Sequence, residues 1–155
     1  MALVLQEEDA MFTGDNVLGH GTAVFEDLST YMASLQRMHE HFSGRAYPGH
    51  GEVIDDGRQR IIEYIEHRHQ REREVLHVLT EARQSSSLQK EDVSQGGRTP
   101  MEMVKIIYND VPETLHEPAA RGVEQVLHKL AEEGKVVRSE DGPTWLMAGT
   151  SSSGM

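Results

Sequence analysis

The sequence predicts an α+β chain in two parts, a small strand-and-helix body followed by a winged helix. Three observations predict it. Two short apolar runs each pass into a glycine-rich loop, in FTGDNVLGHG and AYPGHG. A long stretch of helical periodicity then has apolar ends and a polar middle, HRHQRERE. After a fresh helix start at Thr99-Pro100-Met101-Glu102, the rest of the chain reads as helix, helix and two-stranded wing.

In chain order, Ala2 to Leu5 and Ala10 to Phe12 are apolar runs around the polar Glu7, Glu8 and Asp9, the pattern of a β-hairpin. FEDLSTYMASLQRMHEHF spaces Leu28, Tyr31, Met32, Leu35 and Met38 three and four apart, which predicts an amphipathic helix ended by Gly44. Arg45 to Tyr47 reads as a short strand, and PGHG as a tight loop. Arg58 to Thr80 is a long helix with Ile61, Ile62, Ile65, Val75, Leu76 and Leu79 on one stripe; its polar waist predicts a bridge between two packed bodies. QSSSLQKEDVSQGG has the composition of a linker.

Thr99 to Glu102 is a capping box with proline at the first helical position. Its helix carries Met103, Val104 and Ile107 and ends before Pro112. Pro118 to Glu133 places Val123, Val126, Leu127 and Leu130 on one face, with Gly134 as the C-terminal stop. KVV and TWLM, joined by SEDGP, form the wing, and Trp145 and Leu146 are expected to pack it onto the helices.

Composition excludes several functions. Cysteine is absent, so disulfides, zinc ribbons and thiol catalysis are out, and a transition-metal site would need His and carboxylate. Net charge is −11; residues 1–66 hold twelve acidic against four basic groups, and the remainder fourteen against eleven. Neither part has the basic excess that phosphate-backbone binding requires. The candidate recognition helix sets Arg121, His128 and Lys129 against Glu124, Glu132 and Glu133, so DNA binding is not expected. No apolar run approaches the ~20 residues of a membrane span. The N-terminus has no basic region of a signal peptide, and an intracellular, cytoplasmic setting is expected.

Asp15 and His50 stand at the two glycine loops. Taken singly, Asp15 suits a turn carboxylate bonding backbone N–H groups, and His50 an exposed loop imidazole. As a pair they present one carboxylate and one imidazole, the side-chain types a metal site without cysteine must use. Of the nine histidines, His39 with His41 and His67 with His69 are two residues apart, which on a helix does not share a face. His20, five residues after Asp15, is read as a residue flanking the site.

FTGDNVLGHGTAVFEDL, YPGHG, EYIEHRHQRE and TPMEMVKIIYNDVPETLHEPA together resemble the C-terminal half of metallo-β-lactamase-fold hydrolases that carry a winged-helix extension. One branch of that family is the animal mitochondrial endoribonuclease β-lactamase-like protein 2. Another is the fungal thioesterases that release polyketides from non-reducing synthases, and the wording around Asp15 is nearer to this branch. The resemblance implies an α+β fold, the C-terminal part of an αββα sandwich followed by a winged-helix domain. The expected divisions are a sandwich part at 1–66, a bridging helix at 67–83, a linker at 84–98, the winged helix at 99–148 and a disordered tail at 149–155.

The family's site combines H-x-H-x-D-H, a middle histidine, the Asp of a T/S-G-D motif and the His of P-G-H-G. The last two fall on Asp15 and His50, as ligands of two zinc ions. H-x-H-x-D-H is absent from the sequence, and the middle histidine would precede Met1. The expectation is therefore a fragment of a zinc hydrolase that would need a missing N-terminal half as its partner and would neither retain zinc nor catalyse alone. By the resemblance, the parent enzyme releases polyketide from an acyl carrier protein or polyketide synthase. RNA phosphodiester hydrolysis is the alternative within the class, and a non-catalytic winged-helix binding module the alternative outside it.

Overall fold

The computed structural model describes residues 1–21, 23–88 and 96–149, and the chain divides into two compact units, Met1–Gln70 and Arg71–Met155. The first unit begins with β1 (Leu3–Leu5) and β2 (Ala10–Gly14), an antiparallel pair joined by a 3-10 turn at Gln6–Glu8. Asp9 closes the turn at φ 47°, and its carboxylate accepts from the Ser43 backbone N–H and hydroxyl at 3.0 and 2.7 Å.

Helix α1 spans Leu28–His41 and starts three residues later than the apolar pattern suggests. Asp27 sets the start: it holds extended backbone and its side chain accepts from the Thr30 N–H at 2.7 Å, so Phe25 and Glu26 lie outside the helix. Leu28, Tyr31, Leu35 and Met38 form its buried face. Strand β3 (Ala46–Pro48) pairs with β2 in parallel, giving the order β1-β2-β3. Ala10, Met11, Val17, Ala23, Phe42, Ala46, Ile54 and Ile61 complete the core of this unit among the described residues.

Helix α2 runs without interruption over Gly57–Leu88, and the unit boundary falls within its polar waist. The expected linker spans 84–98, and its first residues belong to this helix. Residues 84–88 are helical, and residues 89–95 lie outside the described residues. Within the helix the Ser86 and Ser87 hydroxyls bond back to the carbonyls of Ala82 and Arg83, at 3.1 and 2.9 Å. At the far end Arg98 exchanges backbone hydrogen bonds with Trp145, so it belongs to the wing. Of the expected tail, residues 150–155 also lie outside the described residues.

In the second unit α3 (Pro100–Ile107) carries the full capping box, with Thr99 and Glu102 bonding each other's backbone N–H. Helix α4 (His116–Glu132) ends at Gly134, φ +73°, where the Lys135 N–H reaches the Leu130 carbonyl. β4 (Val136–Arg138) and β5 (Trp145–Met147) form the antiparallel wing. The core is Val75, Val78, Leu79 and Ala82 of α2 with Met103, Val104, Val123, Val126, Leu127, Leu130, Val136 and Trp145. The Trp145 indole meets the His128 ring edge-on at 5.4 Å.

One charged group sits in this core. The Glu72 side chain is 9% exposed and meets Lys129 Nζ at 3.0 Å. Burial opposes the Lys129 charge, but hydrogen bonds to Glu133 and Glu72 prevail and raise its pKa. Among the described residues no helix is long and apolar enough to cross a membrane.

Candidate metal-ligand pair

Asp15 and His50 come together because β2 and β3 run parallel as neighbours. Met11 pairs with Ala46, Phe12 with Tyr47 and Gly14 with Pro48, so both strands end at the same level. Asp15 follows the end of β2, and His50 lies two residues past the end of β3. Parallel register brings residues 35 apart in sequence within 3.6 Å, Asp15 Oδ1 to His50 Nε2. Both side chains are open to solvent, 78% and 74% exposed.

The two loops interlock through their backbones. Gly49 N–H donates to the Gly14 carbonyl at 2.8 Å, and Gly19 N–H to the His50 carbonyl at 3.0 Å. A Cβ on Gly19 would stand 2.3 Å from both the N and the O of Glu52, so only glycine lets the loops approach this closely. Gly51, at φ +88°, lies against the His20 ring, which places His20 beside the His50 loop.

The segment carrying Asp15 is held from beneath. Buried Thr13 donates its hydroxyl to the Val17 carbonyl at 2.8 Å, and the Asn16 N–H and side-chain amide both donate to the Thr13 carbonyl. Tyr31 of α1 donates to the Asn16 carbonyl at 2.7 Å. Tyr64 of α2 accepts from the Leu18 N–H at 3.4 Å and donates to the Gly21 carbonyl at 3.1 Å.

This geometry suits one edge of a metal coordination shell. Two donors each about 2.0–2.1 Å from a tetrahedral zinc stand about 3.3 Å apart, and the observed separation is close to that. Among the described residues no group of three or more His, Cys, Asp or Glu could hold a metal ion. Among the described residues His20 does not join the pair as a third potential donor.

Both residues are legible in the sequence, but what sets their distance is not, because the parallel pairing of β2 with β3 is non-local. Tyr31 is visible on the inward stripe of α1, whereas Tyr64 carries no periodic signal of its own. The waist residue Glu72 is indistinguishable in sequence from its solvated neighbours until Lys129 is placed beside it.

Fold and sequence define a class. Residues 99–145 match the β-lactamase-associated winged-helix domain family. A metallo-β-lactamase family protein from Thermus thermophilus superposes with TM-score 0.66 at 25% identity, over 94% of this chain and 44% of that one. A β-lactamase domain protein from Burkholderia ambifaria does so with TM-score 0.72 at 20% identity, over 95% and 44%. The chain thus has the fold of part of a metallo-β-lactamase protein followed by its associated winged helix.

Within that class its sequence is similar to β-lactamase-like protein 2 and to fungal lactamase-like proteins. It is 42% identical to a β-lactamase-like protein 2 homolog of Caenorhabditis elegans, over 99% of this chain and 47% of the relative. It is 44% identical to a lactamase-like protein of Pestalotiopsis fici, over 88% and 42%. It is 41% identical to an atrochrysone carboxyl ACP thioesterase of Cryptosporiopsis, over 88% and 43%. The chain spans about half the length of the curated relatives it matches.

Proposed function

We propose that Asp15 and His50 are ligands of a two-zinc hydrolase whose substrates are thioesters of polyketides on an acyl carrier protein. The observation that carries this reading is a carboxylate and an imidazole held 3.6 Å apart where two interlocked glycine loops leave adjacent parallel strands. Zinc, when bound, polarises a carbonyl and lowers the pKa of a water molecule. Asp15 has two carboxylate oxygens and so can touch two cations, while His50 offers one neutral ring nitrogen. The glycine loops present both groups to solvent, open to donors from another segment. We assign those donors to the half of the relatives that this chain does not span.

The thioester reading is preferred over RNA hydrolysis on charge. A net charge of −11 repels a polyanion, whereas a thioester carbonyl is neutral. In the winged-helix unit Arg121 is ion-paired to Glu117, and Lys129 to Glu72 and Glu133, which supports a packing or docking role over DNA binding.

Reconstitution tests the proposal. The chain is mixed with the separately produced other half of the Cryptosporiopsis thioesterase and assayed on acyl carrier protein thioesters and on single-stranded RNA. Zinc-dependent thioester hydrolysis that falls at least about 100-fold in Asp15→Ala and in His50→Ala is expected. Cleavage of RNA alone would overturn the substrate, and hydrolysis indifferent to both substitutions would overturn the site.

A further inference from the structure

We infer that Tyr31 and Tyr64 are positioning residues for Asp15, two hydroxyls from two different helices that fix the loop presenting its carboxylate to His50. The inference rests on the reading of Asp15 as a ligand and extends it to what holds that ligand in place. Among the described residues, the loop after Asp15 is tied to itself at its start. Asn16 bonds back to Thr13, and Val17 is buried under the Thr13 hydroxyl. Beyond Val17 the described loop leans on Tyr64, which accepts from the Leu18 N–H and donates to the Gly21 carbonyl, and on the Gly19 bond to His50. One phenol thus spans both ends of the Leu18–Gly21 segment.

Tyr31 acts nearer the ligand. Its hydroxyl meets the carbonyl of Asn16, the residue directly after Asp15, at 2.7 Å. The Tyr31 ring is itself fixed, stacked on Phe25 at 4.8 Å with the Arg68 guanidinium 4.7 Å from the Phe25 ring centre and 5.9 Å from its own. Burial pushes the phenol up to about 12, so it stays protonated and donating at neutral pH. The tyrosines therefore bear on the peptide units that set where the Asp15 carboxylate points. A misplaced ligand loses affinity steeply, as supporting partners around metal ligands generally show.

Tyr31→Phe and Tyr64→Phe keep the rings and remove only the hydroxyls. The 155-residue chain and both variants are followed by amide hydrogen exchange on their own, and by 1H–15N NMR during titration with zinc chloride when combined with the other half used in the reconstitution. Exchange at Asn16 to Gly21 is expected to quicken about tenfold, with α1 and α2 amides and the urea midpoint nearly unchanged. The zinc concentration that half-shifts the Asp15 and His50 resonances should rise about fivefold or more. Loop amides identical to wild type would overturn the inference. So would uniform loss of protection across the unit, which is what a merely structural role gives. Wild-type resonances of Asp15 and His50 that ignore zinc would overturn the ligand reading instead, while the exchange result still decides the positioning.

Discussion

Replacing Gly19 with alanine drives a methyl group into the backbone of the facing loop. Its Cβ would stand 2.3 Å from Glu52 N and O, while ordinary contact begins at 3.4 Å, so the loops must part by about 1 Å. Neither clashing atom can turn aside, because both are backbone. The Gly19 N–H bond to the His50 carbonyl, 3.0 Å long, is lost in the same movement. Overpacking costs about 1–3 kcal/mol, and the hydrogen bond adds about 1 kcal/mol. The first unit should therefore lose about 2–4 kcal/mol, read as earlier urea unfolding at amide probes in α1. The 3.6 Å Asp15–His50 approach should open and the zinc response of both residues should weaken. A Gly19→Ala protein within about 0.5 kcal/mol of wild type, with an unchanged zinc response, would refute the interlocked-loop account.

Other perturbations follow from the same contacts. Lys129→Met strips the cation from the nearly buried Glu72 and should cost the winged-helix unit about 3 kcal/mol, with Glu72→Leu added to it recovering most of the loss in a double-mutant cycle. Thr99→Ala removes the N-terminal cap of α3 and should cost about 1 kcal/mol by urea unfolding of the second unit. Hydrogen bonds from Lys129 and Lys135 hold the Glu133 carboxyl below its usual 4.5, so its contribution is present above that pH and lost as pH falls through the lowered folded value. Lys129, raised above 10.5, contributes fully below that pH and loses its contribution as pH rises through the folded value; acid and alkaline unfolding of the second unit check both directions.

Much of the fold is written in local patterns. The capping box of α3, the apolar stripe of α4 and the stop at Gly134 are short-range signals, and the residues that carry them behave as their chemistry requires. The apolar pattern draws the start of α1 back to Phe25, but the Asp27 cap overrides it. Serine-rich composition suggests a linker after Arg83, but those hydroxyls are absorbed by carbonyls one turn back and the helix continues. Asp15 and His50 are legible as residue types at glycine loops. Their separation is not, because it depends on the parallel register of β2 and β3 and on backbone contact between Gly19 and Glu52, which join segments far apart in sequence.

The most direct test of the metal-ligand pair follows the His50 ring-nitrogen resonances while zinc chloride is added to the chain and to its Asp15→Asn variant, each combined with the other half of the Cryptosporiopsis thioesterase that completes the donor set. The account predicts a saturable shift at His50 Nε2 in the wild type and a several-fold weaker response in the variant, since the two donors share one ion. A His50 ring that zinc does not move, or that responds equally with and without the Asp15 carboxylate, would contradict it.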